Sequence, residues 1–541
     1  MPKLLLLQPP IEDFYDTDIR LQPIGLCYLK AAVHRFCPDF EVAVRDFHTG
    51  CGRRTLPYPK ELSYLQEYYL LPDRGPFSIF HQYFRFGAAP ATVAAEVARE
   101  QPDMVGISAL FSPYYREVLS CAAAIRGLLS VPIVVGGSHV SCAPETILAS
   151  PHVDFVIRGE GERPLVELLQ AWQQGGPYER VANLGWKRGS EMVFNPMAEN
   201  FPLPEIPIPD YGDFDPDRYC YEGRPLCMIL TSRGCPHRCG FCSVHLTFGH
   251  RYRRRSAAAV VAEMEARYAQ GIRVFDFEDD NLTFDLGRMK ELCQRIGEAF
   301  QGRDIQLLAM NGISYKSLDR EVLALMRQVG FTHLNLALVS SNEEILTAYS
   351  RPHRRDNFST VVDMAFGLGF RIVAHQIMGL PGESLNSMID TLVLLARLPL
   401  LIGVSIFYLT PGSPVAASFP ALSETDIFRS RSTAMAIETR HCQRDDLYTL
   451  FLTARILNFL KGVVQEGEET SLADLLGREH GSPRTAAGFT ILRRLLAEKR
   501  LYAATPKGLA VRRRFDADLF EKIWKNLDWI VTQQGRRIHS L

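Results

Sequence analysis

The segment Cys235-Pro236-His237-Arg238-Cys239-Gly240-Phe241-Cys242 sets three thiols four and then three residues apart. On a loop, that spacing lets the chain wrap one iron–sulfur cubane, and Pro236 and Gly240 permit the tight wrap. Three thiolates cannot complete a four-iron cluster, so one iron keeps an open, catalytic coordination position unless a distant residue fills it. The same residues also admit a zinc site with His237, His245 or His250 as fourth ligand, or a disulfide. Zinc knots usually nucleate small domains, whereas this loop opens a long series of alternating elements, which favours the cluster. Glu278-Asp279-Asp280 is a second grouping. Adjacent carboxylates are costly to hold together without a cation or donor to compensate them, which points to binding; a solvated turn is the alternative. Strand alternation places Glu278 and Asp280 on one side and Asp279 on the other, so the residue that acts is left open.

Such groups need a scaffold that delivers them to one mouth. Apolar strand patterns at 228–231, 274–278, 306–309, 333–338, 372–378 and 403–409, all but the last followed by a helical pattern, predict a partial (βα)6 TIM-type barrel over 225–422. The chemically loaded segments fall at the carboxyl ends of those strands, where barrels carry their active sites. Ahead of it, strands at 3–7, 41–46, 104–108, 133–135 and 155–157 alternate with helices at 25–36, 114–129 and 162–173. This predicts an α/β, doubly wound, Rossmann-like parallel sheet over 1–190. Ligands in such sheets sit beyond the strand carboxyl ends, which here carry Ser108, Gly136-Gly137-Ser138-His139 and Arg158-Gly159-Glu160-Gly161. An aromatic-rich insertion, 58–86, either lids the site or packs on the domain.

Residues 191–224 read as an extended linker, dense in proline from Pro196 to Pro216. Residues 423–541 read as a mainly helical domain. Within it, the helix ending near Tyr502 and the turn Thr505-Pro506-Lys507-Gly508-Leu509 resemble a winged-helix element, a helical cap over the barrel being the plainer reading.

A length of 541 residues suggests three or four domains, and 47% hydrophobic with 22% charged residues excludes disordered and collagen-like architectures. The 60 basic residues balance 61 acidic ones, so no bulk field draws the chain to nucleic acid or membrane. Twelve cysteines are too sparse for a disulfide scaffold and imply reduced thiols in a cytoplasmic protein. The apolar run after Met1 is too short for a signal peptide, and the uncharged stretch 398–423 is broken by Pro399, Gly403, Pro411, Gly412, Pro414 and Pro420, so no transmembrane segment is expected.

Cys235-x-x-x-Cys239-x-x-Cys242, with an aromatic before the third cysteine, resembles the hallmark of the radical S-adenosylmethionine enzymes. Thr231-Ser232-Arg233-Gly234, 251–256, Phe277-Glu278-Asp279-Asp280-Asn281, Met378-Gly379-Leu380-Pro381-Gly382-Glu383 and Pro411-Gly412-Ser413 extend the likeness to the subclass with an N-terminal cobalamin-binding domain, as do Val135 to His139 and Gly159 to Glu162. The resemblance covers about residues 1–420.

It implies that Cys235, Cys239 and Cys242 hold a 4Fe-4S cluster whose open iron chelates S-adenosylmethionine. Phe241 would pack near the adenine, or be a core aromatic, and one of Glu278, Asp279 and Asp280 would bind the methionyl ammonium. Many relatives place a glutamate and then a serine at the fourth strand end for the ribose; here Val339 takes the glutamate's place. Ser340 remains for that contact, with Asn335 or Gln376 as substitutes. Gly379 would allow close approach to the adenosyl group while shaping its turn. Cobalamin is implied as well, with Ser108, Gly136 and Gly137 around its nucleotide tail. The cobalt-ligating Asp-x-His-x-x-Gly pattern is approached only by Asp46-Phe47-His48-Thr49-Gly50, whose glycine comes one residue early, and His48 reads as structural.

The leading expectation from this resemblance is methylation of an unactivated carbon: a 5′-deoxyadenosyl radical abstracts a substrate hydrogen, and the substrate radical takes a methyl from methylcobalamin. Expected partners are a small-molecule or lipid-like substrate and a low-potential electron donor such as flavodoxin or ferredoxin, with no stable nucleic-acid partner. The nearest rival is a radical cyclase or rearrangement on a tetrapyrrole or lipid. A methylthiotransferase is disfavoured because no second cysteine triad lies upstream. A non-enzymatic alternative is a cobalamin- or metal-sensing protein using the basic stretch 484–514 on nucleic acid.

Overall fold

The computed structural model describes residues 1–17, 21–311, 313–351, 355–463, 467, 469–478 and 481–539. The first strand, Lys3–Gln8, is buried on both faces, as a near-continuous leucine run in a parallel sheet must be. It lies between Glu41–Asp46 and Met104–Ser108, and the parallel order continues through Ile133–Gly136 and Phe155–Ile157. The chain reverses direction across the sheet at Lys3–Gln8, the kind of switch point where open α/β sheets bind ligands.

The expected strands and helices form, and the structure adds an antiparallel edge. Leu184–Arg188 and Glu191–Phe194 pair as a hairpin, so the sheet has seven strands and the linker's first four residues belong to it. Such a short hairpin carries little periodicity, and its one local sign is Gly189 at φ +64° in the turn. The insertion forms part of a core rather than a lid over either cavity described below. Leu62, Leu65, Tyr69 and Phe77 are buried, and the hydroxyls of Tyr64 and Tyr69 donate to the carbonyls of Ala434 and Thr433.

Six parallel strands build the partial barrel: Arg224–Ile229, Val274–Phe277, Gln306–Leu308, His333–Val339, Arg371–Met378 and Leu401–Ile406. Two isolated parallel bridges, Leu307 to Phe331 and Ile313 to Leu336, join the halves. Crossover helices start at side-chain caps, Ser256 accepting from the Ala259 amide and Asp285 from that of Arg288.

The tail covers the barrel's open side. Asn458, on helix Arg444–Lys461, accepts from the Ile402 amide at 2.9 Å and donates to the Ile402 carbonyl at 2.8 Å, pairing the last strand as a neighbouring strand would. Lys461 is buried and donates to the carbonyls of Leu395, Ala396, Leu398 and Val531. Helix Pro483–Glu498 and the antiparallel pair Tyr502–Thr505 and Gly508–Val511 match the winged-helix expectation locally. The tail is less purely helical than its sequence suggests, since Glu469–Ser471, Arg537–His539 and Trp529–Val531 form a further small sheet. The basic stretch is partly spent inside the fold, where Arg512 forms a fully buried pair with Asp73 at 2.6 Å. Among the described residues no helix is long and apolar enough to cross a membrane.

Glu117 lies buried behind the strand Ile11–Asp13, with one carboxylate oxygen accepting from the Glu12 amide and the other without a partner. Burial pushes its pKa up to about 8. Its folded carboxyl therefore stays protonated from about pH 4.5 to 8 while the unfolded one ionises, and stability falls across that window. Glu117→Gln should remove this fall, gaining on the order of 2–4 kcal/mol at pH 8.5 and little at pH 4.5. Denaturant midpoints across that range measure it, and equal pH dependence in both proteins would refute it.

Candidate functional site

The three-cysteine loop is closed at its neck by a short ladder. Ser232–Arg233, just beyond the first barrel strand, pairs antiparallel with Arg253–Arg254, leaving residues 234–252 as the loop. Gly234 turns the neck at φ +84°, and a Cβ there would lie 2.4 Å from the Arg251 carbonyl oxygen, so no other residue fits. Asp279 holds the neck from beneath. It is fully buried and accepts from the Thr231 hydroxyl at 2.8 Å, the Thr231 amide and the Ser232 hydroxyl. The alternation expected at this strand end is observed: Asp279 points into structure, while Glu278 and Asp280 face open space.

A cavity of about 490 Å³ opens at the carboxyl ends of the barrel strands, with Cys235, Cys239 and Cys242 on its wall. Asn281 donates to the Cys235 sulfur at 3.8 Å and Arg351 to that of Cys239 at 3.7 Å. Burial pushes the Cys235 thiol up and that of Cys242 up to about 11, so a bound metal would be needed to hold these two as thiolates. Three soft donors with N–H groups aimed at sulfur fit a three-cysteine iron–sulfur cluster. The candidate zinc histidines line the same cavity: His237 stands edge-on to Phe284, the rings of His245 and His250 stack 4.8 Å apart, and His250 Nδ1 has no hydrogen-bond partner.

Phe241 lines the cavity and packs on Tyr349 with the apolar cluster of Val339, Leu380 and Phe407. Val339 sits on a bulge at φ +74°, a conformation that β-branched residues rarely adopt. Asp280 also lines the cavity; it accepts from the Gly234 amide at 2.9 Å, and burial raises its pKa to about 6.

Three expected contacts are placed elsewhere. Ser340 is fully buried and donates to Glu383 at 2.6 Å; Gln376 is fully buried and donates to the Met388 carbonyl at 2.9 Å. Both face the helix Leu385–Ala396 rather than the cavity, because strand alternation turns Asn335, Ala337 and His375 inward instead. At Gly379 the space a side chain would take is filled by Leu447, 3.0 Å from the Cβ position, so this glycine shapes the turn against the tail helix. The sequence alone does not single out His375, Met310, Asn311, Lys316 and Arg351, all of which line the cavity. For His375 the signal was present, one residue from Gln376 in an alternating strand. For Lys316 and Arg351 there was none, since both lie in segments without pattern.

A second cavity, about 630 Å³, lies between the carboxyl ends of the N-terminal sheet and the barrel mouth. Ser108, Gly136, Gly137 and the turn 159–162 line it from one side, Arg233, Phe248 and Glu278 from the other. Gly137 turns at φ +120°, where a Cβ would lie 2.6 Å from the Ala109 carbonyl oxygen. At Gly136 a Cβ would meet only Ile157, at 3.8 Å, so its absence leaves open floor. A broad, mostly apolar chamber with a glycine floor suits a large flat cofactor such as a corrin. Two histidines are unsuited to ligate its metal. His48 is buried beside the Phe86 carbonyl, and His139 has both ring nitrogens bonded, to Ser112 and Thr146, with burial lowering its pKa to about 4.

The exchange of Gln376 for His375 can be tested. With cluster-reconstituted protein, Gln376→Leu should leave the dissociation constant for S-adenosylmethionine within about two-fold, whereas His375→Ala should weaken it about ten-fold, the worth of one hydrogen bond to a charged ligand. Equilibrium dialysis measures both, and the reverse order would show the assignment wrong.

Residues 229–395 match the Radical SAM superfamily and residues 81–169 the B12 binding domain. An uncharacterized methyltransferase of Pyrococcus horikoshii is 30% identical over 297 residues, covering 54% of this chain and 63% of that protein. Cytidylyl-2-hydroxyethylphosphonate methyltransferase of Streptomyces wedmorensis is 25% identical over 428 residues, 71% of this chain and 75% of that protein. The anaerobic magnesium-protoporphyrin IX monomethyl ester cyclase of Cereibacter sphaeroides is 25% identical over 305 residues, 55% and 50%. The chain thus spans half to three quarters of the length of these curated relatives. Among solved structures, the methyltransferase TsrM of Kitasatospora setae, with cobalamin and a [4Fe-4S] cluster bound, shares the fold at a TM-score of 0.60 and 19% identity, covering 80% of this chain and 85% of that one. The thiol triad at a barrel mouth, the second chamber and these matches converge: residues 229–395 form a Radical SAM domain and residues 81–169 a B12-binding domain, the combination that uses a 4Fe-4S cluster, S-adenosylmethionine and cobalamin.

Proposed function

We propose that this protein is a cobalamin-dependent radical S-adenosylmethionine methyltransferase acting on an unactivated carbon. The observation that carries the reading is a shared wall: Asp280, Met310 and Asn311 line both cavities, so a substrate held there faces both cofactor sites at once. When bound, the cluster supplies the electron that cleaves S-adenosylmethionine, and the cobalamin supplies the methyl group.

The residues of the chain supply placement. Burial, and after it the nearby Arg351 and Lys316 cations, lower the His237 pKa, so these three groups lie close together. This cationic side suits the carboxylate of S-adenosylmethionine or an anionic substrate group. Asp280, shared by both cavities, and Glu278, in the second, supply acidic surface, with Asn311 donating to Glu278. Met310 and Ile313 provide apolar surface that limits water around a reactive radical.

A test needs no known substrate. Anaerobically reconstituted protein, supplied with a low-potential reductant, S-adenosylmethionine and cob(I)alamin, should yield methylcobalamin with S-adenosylhomocysteine, and also 5′-deoxyadenosine. Cys239→Ala should lose the 5′-deoxyadenosine while retaining bound cobalamin. Production of 5′-deoxyadenosine with no S-adenosylhomocysteine would overturn methylation and favour a radical cyclisation, as the cyclase relatives would suggest. The absence of both products would overturn the radical chemistry itself.

A further inference from the structure

The two cofactor sites are tied by a buried charge cluster at the neck of the cysteine loop. Arg233 donates to Glu160 and to Glu162 at 2.6 Å each, and Arg253, from the other strand of the neck, donates to Glu160 as well. Asn200 donates to both carboxylates, and the Arg233 guanidinium lies over the Tyr28 ring at 4.8 Å. Arg233, Glu160 and Glu162 are all nearly inaccessible to solvent. Each strand of the neck therefore grips the same turn of the N-terminal domain, and that turn, 159–162, is a wall of the cobalamin chamber.

The loop has little core of its own. Every residue from Gly240 to His250 is only half-buried. Its short helix Val244–Phe248 lies between the cavities, Val244 and His245 lining the first and Thr247 and Phe248 the second. Its outer anchors are Phe241 on Tyr349, the backbone bonds of Gly240 with Tyr349 and Val415, and the helix Ser138–Cys142 beside Val244–Phe248; the rest of its order comes from whatever binds its thiols and from its neck. When the thiols are tied to iron, the neck ladder is fixed, and with it the two arginines that set the position of Glu160.

From this the geometry points to Arg233 and Arg253 as positioning residues that couple cluster loading to cobalamin binding through Glu160. Each cofactor raises the affinity of the protein for the other, and linkage requires the two effects to be equal. The inference rests on the cofactor assignment above and adds to it a direction of assembly: iron–sulfur protein binds cobalamin more tightly than iron-free protein. Arg253 lines neither cavity but reaches the chamber through its bonds to Glu160 and to the Phe248 carbonyl, so the ratio of affinities with and without the cluster, rather than the affinity itself, reports the coupling.

The test uses the full chain, iron-free and reconstituted, titrated with hydroxocobalamin and followed by its visible absorption. Wild-type protein should bind at least about five-fold more tightly with the cluster present. Arg253→Gln should bring that ratio close to one with its thermal midpoint little changed, and Arg253→Lys, which keeps the charge, should restore most of it. Glu160→Gln should abolish the ratio as well, and cobalamin should slow iron loss to a chelator in wild type but not in Arg253→Gln. Equal affinity in both forms of the wild type, or a full ratio in Arg253→Gln, would overturn the coupling while leaving the cofactor assignment standing. Failure of cobalamin to bind either form would overturn both.

Discussion

The Arg233 guanidinium lies between two carboxylates, with almost no water around it. Taking such charges out of solvent costs several kcal/mol per ion, and the cost is offset only when geometry and further hydrogen bonds are good. Here Arg253, Asn200 and the Tyr28 ring complete the set. A hydrophobic contact would hold two domains together as firmly but without fixing their register, whereas a forked guanidinium accepts only a narrow range of positions. The relative placement of the two cavities depends on that register, because both are built at strand ends of separate sheets and meet only along Asp280, Met310 and Asn311.

The tail and the insertion serve the same end from outside. A partial barrel leaves its last strand with unpaired backbone groups, and Asn458 satisfies two of them at Ile402. Lys461 satisfies carbonyls at the end of helix Leu385–Ala396 and in the following turn, at the cost of burying an amine whose pKa burial drives well down. Arg431 reaches Asp13 and the Pro113 carbonyl from the tail, and Thr433 donates to Asp13, locking the first sheet's loop against the region after the barrel. The side-chain groups of Asn458, Lys461 and Thr433 find partners within the chain, whereas Glu117 keeps one carboxylate oxygen without one.

Residue types and spacing marked the long strands and helices of the two large units, though not the short hairpin Leu184–Arg188 and Glu191–Phe194 or the small sheet of the tail. Leucine runs and alternating patterns fixed the strands, and the thiol triad followed by Glu278-Asp279-Asp280 marked the mouth at which chemistry occurs, because these are properties of neighbours in the chain. The side of the strand on which each carboxylate lies was also legible, since a period of two allows only one arrangement.

What the tertiary structure alone decided is which strand-end residues face the cavity and which residues from distant segments join them. Ser340 and Gln376 sit at suggestive places in the sequence, yet Ser340 gives its hydrogen bond to Glu383, just ahead of the helix Leu385–Ala396, and Gln376 gives its own to Met388 within that helix, leaving His375 and Asn335 inside. Gly379 looks like an opening for a ligand until Leu447, nearly seventy residues on, is seen to fill it. Glu160 and Arg233 are separated by 73 residues, and nothing in either segment announces the other. Such pairings arise from the packing of one sheet against another, a long-range property that local periodicity does not encode, and here they determine where the two cofactor sites meet.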